Sequence, residues 1–178
     1  MRGLDHFSIQ LKSLKNGTHY FKYQIDSTFF QFFEFSPISD AIFTIEVEFE
    51  RENKNFEITI IGIGSIQTNC DRCTADIALP INFTSKVYAQ ISDYPNHDDI
   101  ETYFIEEKDT VFNIAEMVYN EICLNQPLVN VYECESDQPP PCDRETLEML
   151  EAETDNTDES EDDDTSSPWD SLKDANFN

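Results

Sequence analysis

The chain has 178 residues, of which 39% are hydrophobic, so it is long enough for one domain with a real core and a short appendage. Its formal net charge of −26 argues against a reader of duplex DNA, because such proteins neutralise phosphates with a surplus of cations. The sequence contains no apolar stretch near the length of a membrane span, no recognisable secretion signal, and an odd number of five cysteines. We therefore expect a cytoplasmic protein without a membrane or DNA partner, whose acidic surface either attracts basic proteins or only keeps the chain soluble.

The first elements predict a β-hairpin. Residues 7–11 alternate apolar and polar side chains, Asn16-Gly17 marks a turn, and residues 20–25 resume the pattern of a strand. Three lysines surround this hairpin and form a locally basic patch: Lys12, Lys15 and Lys22. If Arg72 folds nearby, the patch can contact RNA phosphates; the alternative is the ordinary solvation of a hairpin.

The centre of the chain is rich in β signals. The phenylalanines between Phe29 and Phe35 predict a short helix or an irregular segment that fills the core. Five further segments have the alternation or composition of strands: 41–50, 55–63, 77–81, 83–91 and 102–105.

A pair of cysteines lies between two of these strands. Cys70 and Cys73 are separated by two residues, a spacing that suits metal binding, thiol–disulfide chemistry or a reduced turn. A redox pair usually lies at a helix N-terminus, and no helical pattern follows this one. A structural zinc ion needs four Cys or His ligands, and Cys134 with Cys142 can supply a second pair. Zinc is therefore the candidate cofactor, and a turn whose thiols only pack is the alternative.

Beyond the strands the apolar period changes to three or four residues, which predicts one helix over residues 111–124. Asn113 resembles a helix start signal and Pro127 a stop signal. Together the elements predict an α+β fold: a mainly antiparallel curved sheet or partial β-barrel, with this one closing helix. The chain has no glycine-rich phosphate loop and no nucleophile elbow, so we predict that it is not an enzyme.

The C-terminal part differs in composition. Residues 143–164 contain 12 acids and one base, a net charge of −11. Too few apolar side chains follow to offset the entropy of ordering, so we predict a folded domain over residues 1–142 and a disordered acidic linker over residues 143–167. A short apolar hook, residues 168–178, ends the chain; its Trp169 and Leu172 are expected to dock on a partner or back on the domain.

Several short motifs of this chain occur together in one known family. They are the Cys70-Asp71-Arg72-Cys73 sequence between the glycine-containing strand at 62–64 and the segment 79–81, the helix from Asn113 through Glu121 and Leu124 to Pro127, the later Cys142, and Pro168-Trp169 with Leu172-Lys173. In this order and spacing they resemble the YceD family, the large ribosomal RNA subunit accumulation proteins. The long acidic insert is similar to members from Bacteroidetes-type bacteria.

The resemblance implies a YceD-like domain over residues 1–142 and a cytoplasmic, non-enzymatic factor. Such a factor acts in the accumulation or processing of 23S rRNA and in large-subunit assembly, with ribosomal RNA or large-subunit ribosomal proteins as partners. We expect Arg72 and the basic hairpin to contact the pre-ribosome, and the acidic tail to contact a basic ribosomal protein. Two alternatives remain at this point: a small zinc- or thiol-dependent protein that uses its CxxC motif, and an acidic chaperone for basic proteins.

Overall fold

A computed structural model describes residues 3–92, 102–133 and 139–155, with backbone alone for residues 153–155. Its strands and helices are β1 (Ser8–Gln10), β2 (Gly17–Ile25), α1 (Ser27–Phe30), β3 (Ala41–Glu52), β4 (Asn55–Asn69), β5 (Asp76–Ile91), β6 (Thr102–Ile105), β7 (Val111–Asn113), α2 (Ala115–Leu124) and α3 (Arg144–Asp155). Five strands form one open sheet in the order β2-β3-β4-β5-β6, which is antiparallel except for the parallel pair β5-β6. β1 and β7 form a second, two-stranded sheet. The predicted α+β fold is confirmed, and the sheet does not close into a barrel.

The core lies on one face of the large sheet. Along β3 every second side chain, from Ala41 to Phe49, is buried, while the residues between them point outward. This arrangement follows from the period of two in the sequence, since successive side chains of a strand point to opposite faces. β4 and β5 continue the buried face and are longer than predicted, because backbone pairing extends as far as Asn69 and Asp76. One apolar face therefore leads continuously into the turn that contains the two cysteines.

Two glycines in β4 allow aromatic rings to lie against the strand. A Cβ atom at Gly62 would collide with the ring of Phe83, and one at Gly64 would collide with the backbone oxygen of Ile42 and the ring of Phe43. Glycine inside a strand often marks such a close approach. The glycines thus fix how the inner layer of rings packs just before the cysteine turn.

Helix α2 and the phenylalanine-rich segment cover the inner face of the sheet. α2 buries Ala115, Met117, Val118 and Ile122 against the core. Phe29 and Phe30 of α1 are buried, as the core-filling prediction required, and Phe33 stacks on Tyr119 of α2 with ring centroids 3.9 Å apart. By contrast, Phe35 is fully exposed and has a left-handed φ of 58°. Among the described residues no helix is long and apolar enough to span a bilayer.

The predicted N-terminal hairpin is wrong. β2 pairs with β3, whereas β1 pairs with β7, about a hundred residues later in the chain. Asn113 supports this long-range pair, because its Nδ2 donates to the Leu4 carbonyl at 2.9 Å and to the Ser8 hydroxyl at 3.0 Å. Alternation shows that a strand is half-buried, but it does not identify the neighbouring strand.

The ends of the helices also differ from prediction. Residues 111–113 form β7, so the predicted helix 111–124 begins only at Ala115. The start signal is nevertheless real, because the side-chain oxygen of Asn113 accepts a hydrogen bond from the Ala115 N–H at 2.9 Å. Residues 144–155, expected to belong to a disordered linker, form α3. The rest of the linker and the apolar hook lie outside the described residues.

Candidate functional site: the cysteine knuckle and the outer face of the sheet

The turn between β4 and β5, residues 70–75, is a tight knuckle held by its own backbone. The Cys70 N–H donates to the Ala75 carbonyl and the Thr74 N–H donates to the Cys70 carbonyl, each at 2.8 Å. Thr74 has a left-handed φ of 59°, which is rare for a β-branched residue and costs about 1–3 kcal/mol. The predicted turn at the cysteines is confirmed, and it carries a strained residue.

The two sulfur atoms of the knuckle lie together inside the protein. Cys70 and Cys73 are 2% and 1% exposed, and both are free thiols. Burial alone raises the pKa of the Cys70 thiol, but backbone N–H groups of Arg72, Cys73 and Tyr132 and the Cys73 thiol donate to its sulfur. These donors outweigh burial and hold the pKa of Cys70 below its ordinary value. The knuckle is thus built to stabilise a thiolate.

A distant segment closes over the knuckle. The Asp71 N–H donates to the Asn130 carbonyl at 2.8 Å, and the Asn130 N–H donates to the Asp71 carboxylate at 2.6 Å. The Asn130 side chain donates to the Thr68 hydroxyl at 3.3 Å, and its Oδ1 is buried with no hydrogen-bond partner among the described residues. Sequence reasoning missed this contact, because nothing in the local pattern around residue 130 indicates a partner some 60 residues earlier.

The structure describes three of the four predicted metal ligands, Cys70, Cys73 and Cys142. The knuckle pair converges, Cys134 lies outside the described residues, and Cys142 is half-buried and takes part in a disulfide. Within residues 3–92, 102–133 and 139–155 no cluster of three or more His, Cys, Asp or Glu side chains could hold a metal. Cys123 of α2 is a separate case, since burial raises the pKa of its thiol while the Tyr119 hydroxyl donates to it.

The lysines of the predicted basic patch do not lie together, since Lys12 and Lys15 belong to the segment at the β3–β4 end of the sheet and Lys22 lies near its middle. Lys22 forms an ion pair with Glu46 at 2.8 Å across β2 and β3, whereas Lys12 and Lys15 are exposed and have no ion-pair partner in the described part of the chain. Nearby, the Arg51 guanidinium donates to the carbonyls of Leu11 and Leu14 at 2.8 and 2.7 Å. That cation therefore holds the N-terminal segment in place.

Arg72 does not join this patch. It is exposed on the knuckle after Asn69, whereas the segment that carries Lys12 and Lys15 lies by the opposite end of β4, near Asn53, and Lys22 lies level with Ile61 in the middle of β4. A strand of 15 residues spans roughly 45 Å at about 3.3 Å per residue. The predicted cations are thus spread along the sheet, with Lys12 and Lys15 at one end, Lys22 near the middle and Arg72 at the other end. Trp169 and Leu172 lie outside the described residues.

The outer face of the sheet carries an acidic row that the sequence analysis did not single out. Glu48, Glu50 and Glu52 point away from the core along β3, and Glu50 lies directly opposite Glu57 on β4. Glu57 is paired with Lys86, but the three β3 carboxylates have no ion-pair partner among the described residues. A depression of about 250 Å³ lies between Glu50, Glu52, Glu57 and Tyr88. The signal was present, since glutamate occupies every second position from 46 to 52.

Aromatic and aliphatic side chains accompany these acids. Tyr20 is 75% exposed and lies opposite Glu48 on the neighbouring strand. A groove of about 340 Å³ runs beside it, lined by Phe21, Glu46, Val47 and Ile61 among others. We call Glu48, Glu50, Glu52, Glu57, Tyr20 and Tyr88 the acidic face. Large exposed rings beside free carboxylates are features of a surface that binds basic side chains through both charge and their aliphatic stems.

Comparison with known proteins assigns the family. The model of large ribosomal RNA subunit accumulation protein YceD matches residues 62–174, which is more than half of the chain and includes the knuckle, α2 and α3. No match was found among curated proteins or among solved structures. The family is described by its part in the accumulation of the large ribosomal RNA subunit, with no reaction named. The chain belongs to the YceD family.

Proposed function

We propose that this protein is a non-enzymatic factor for the accumulation and processing of 23S rRNA, and hence for assembly of the large ribosomal subunit. It acts in the cytoplasm by binding a basic ribosomal protein on its acidic face. Membership of the YceD family supports the role in ribosome production. The carboxylates of Glu48, Glu50 and Glu52 on an open sheet, which form no ion pair with any residue that the structure describes, are the observation that favours this partner.

Charge favours a basic protein over RNA as the direct partner. The chain has a net charge of −26, and a phosphate backbone approaching the acidic face would be repelled. Several lysines of the described chain are already neutralised in ion pairs, among them Lys22 with Glu46 and Lys86 with Glu57. Ribosomal proteins carry Lys and Arg at high density, and each such side chain can pair with a carboxylate while its stem packs on Tyr20 or Tyr88.

The acidic tail adds to the same interaction. Residues 143–164 carry a net charge of −11 and stay tethered to the domain, so they raise the local concentration of carboxylates around a bound basic segment. On this proposal the folded domain supplies selectivity and the tail supplies long-range attraction. A chaperone that acts through its tail alone would not need the acidic face.

The test is a charge reversal on the acidic face. In a deletion strain we expect 23S rRNA precursors to accumulate and free large subunits to fall, and the wild-type gene to restore both. The double variant Glu48→Lys with Glu50→Lys should fail to restore them, and tagged protein should recover about tenfold less ribosomal protein from growing cells, because two attractions become repulsions. Glu34→Lys with Asp40→Lys, the same charge change on exposed positions outside both the acidic face and the tail, is the matched control and should complement fully.

Two results would overturn the proposal. Normal 23S rRNA processing and normal subunit profiles in the deletion strain would remove the role in ribosome production. Loss of partner binding in Lys12→Glu with Lys15→Glu, together with full binding by the acidic-face variant, would instead assign the contact to RNA phosphates at the basic end of the sheet.

A further inference from the structure

We propose that the free edge of β2 binds an extended segment of a basic protein, which joins the five-stranded sheet as an additional strand. The segment pairs with residues 18–22 through its backbone, in the commoner antiparallel orientation, and directs lysine or arginine side chains onto the acidic face. Since this rests on the proposed function, the bound segment belongs to the basic ribosomal protein. The mode of recognition is the addition of a β-strand to an exposed sheet edge.

The backbone of β2 is free on one side. β2 pairs with β3 over nine consecutive residues and lies at one end of the strand order β2-β3-β4-β5-β6. Apart from this ladder, no backbone N–H or C=O group of residues 17–25 forms a hydrogen bond with another residue that the structure describes. The outer side of the strand therefore presents the donors and acceptors that an incoming strand needs.

The hydrogen bonds of the sheet identify the groups of β2 that point outward. In an antiparallel ladder, residues that bond to one neighbouring strand alternate with residues that bond to the other. The Gln67 N–H donates to the Asp40 carbonyl at 2.9 Å, one position before β3 begins, so even-numbered residues of β3 bond to β4 and odd-numbered ones to β2. Because odd residues of β3 lie opposite odd residues of β2, the N–H and C=O groups of Thr18, Tyr20 and Lys22 point away from the sheet.

This edge lacks the features that usually prevent unwanted strand pairing. Natural edge strands are protected by proline, by bulges, by short length or by charged side chains, lysine above all. Residues 17–25 contain no proline, and their register with β3 is uninterrupted. The single lysine of β2, Lys22, is neutralised by Glu46. By contrast β6, the strand at the other end of the order, has only four residues.

The side chains beside the edge favour a basic partner. An added strand would lie roughly 10 Å from β3, since neighbouring strands are about 4.8 Å apart. On the outer face, Glu48 and Glu50 of β3 lie opposite residues 20 and 18 of β2. A lysine or arginine of the added strand can therefore extend its stem over the Tyr20 ring and pair with these carboxylates. On the other face Phe21 is only half-buried against the core, so an apolar residue of the partner would cover it.

A second copy of this chain fits the same edge less well. Pairing of β2 with β2 would place two acidic faces in one continuous sheet, and each chain carries a net charge of −26. Like charges on neighbouring strands destabilise such a pair. A segment with basic side chains at alternate positions satisfies the free backbone and also Glu48 and Glu50, which form no ion pair within the described part of the chain.

The experiment uses the full-length protein and a pair of synthetic peptides of about ten residues in which lysine and valine alternate. The peptides have the same composition and charge, and they differ only in whether the lysine or the valine amides carry a methyl group. Lysines on the outer face lie opposite Thr18, Tyr20 and Lys22, so their amides are the ones that bond to β2. In calorimetric titrations the lysine-methylated peptide should therefore bind at least about tenfold more weakly than the valine-methylated one.

A pair of variants tests the edge from the side of the protein. Tyr20→Pro removes an outward N–H, a change that edge strands tolerate, whereas Tyr20→Val removes the same ring and keeps the N–H. We expect Tyr20→Pro to bind the valine-methylated peptide at least about tenfold more weakly than Tyr20→Val. Circular dichroism verifies that both variants are folded.

Hydrogen exchange of the wild-type protein gives a readout that does not depend on any variant. With the valine-methylated peptide bound, the amides of Thr18, Tyr20 and Lys22 should exchange at least about tenfold more slowly. The amides of His19 and Phe21 already bond to β3 and should change little. Contact through side chains alone would not produce this alternation.

Several results would overturn the inference: no binding of either peptide, equal binding of both, or exchange that slows without alternation along residues 18–22. Slower exchange of the same amides in the protein alone, as its concentration rises, would assign the edge to a second copy and overturn it too. Failure of the proposed function is distinguished in the deletion strain. If the peptides fail while Glu48→Lys with Glu50→Lys still loses complementation, the acidic face binds its partner without an added strand.

Discussion

The two turns that bound β4 look alike locally and are held in different ways. Each has one residue with a left-handed backbone, Asn53 at the β3–β4 turn with a φ of 57° and Thr74 at the knuckle with a φ of 59°. Asparagine adopts this conformation readily, whereas threonine does so only under constraint. The β3–β4 turn is therefore encoded by its own residues, while the knuckle depends on what packs around it.

The contacts of the two turns show the same contrast. At the β3–β4 turn the Asn53 N–H donates to the Asn16 side chain at 3.1 Å, and Arg51 extends to the N-terminal segment. At the knuckle the partners are Asn130 and Tyr132, from beyond α2, and they contact backbone and sulfur directly. One turn thus holds the N-terminal segment, and the other connects the sheet to the C-terminal part of the chain.

The largest effect is expected at the β3–β4 turn, from Arg51→Met. This change removes two part-buried charge-assisted hydrogen bonds to the Leu11 and Leu14 carbonyls, and we expect a loss of about 2–3 kcal/mol in the free energy of unfolding. Urea denaturation measures it. Arg51→Lys is the control, because it keeps the positive charge but not the planar guanidinium, and it should lose about half as much free energy of unfolding. Equal stability of Arg51→Met and wild type would show that the N-terminal segment does not depend on these hydrogen bonds.

The knuckle is tested next by Asp71→Ala. The carboxylate accepts a 2.6 Å hydrogen bond from the Asn130 N–H, and because the pair is exposed we expect a loss of about 1 kcal/mol. Hydrogen exchange should locate the effect, with faster exchange at Asn130 and Tyr132 and unchanged exchange in β3. Asp71→Asn, which keeps an acceptor, is the control. Uniform acceleration across the sheet would mean that the knuckle and the sheet unfold as one unit.

The smallest effect distinguishes the two left-handed residues. Thr74→Gly should raise the free energy of unfolding by about 0.5–1 kcal/mol, since relief of backbone strain exceeds the added entropy of the unfolded chain. Asn53→Gly should change it by less than about 0.5 kcal/mol, because asparagine is already tolerated there. Paired urea titrations of the two variants measure the difference. A destabilised Thr74→Gly would show that the threonine side chain, and not only its backbone, supports the knuckle.

Prediction from sequence succeeded where a pattern is local. The strands at 41–50, 55–63 and 102–105 were found, because alternation over several residues reports a half-buried strand. β4 was predicted too short, since polar residues replace the apolar pattern after Ile63 while the hydrogen-bonded ladder continues to Asn69. The acidic face was overlooked although its glutamates are visible in the alternation of β3.

Long-range contacts could not be predicted in the same way. The partner of β1 lies at the other end of the domain, and no residue in 8–10 encodes that choice. Nor did the sequence place the cations: Arg72 and the lysines at 12 and 15 were grouped by charge, yet the length of β4 separates them.

By itself the sequence determined the α+β composition, the turn at Cys70 and Cys73, and the hydrogen bond from the Ala115 N–H to the Asn113 side chain at the start of α2, because each depends on residues a few positions apart. Only the tertiary structure decided that β1 pairs with β7 and that the N–H of Tyr132 bonds to the Cys70 sulfur. The physical reason is that a half-buried strand or an unpaired N–H has many equivalent partners along a chain. The packing of one shared core selects among them.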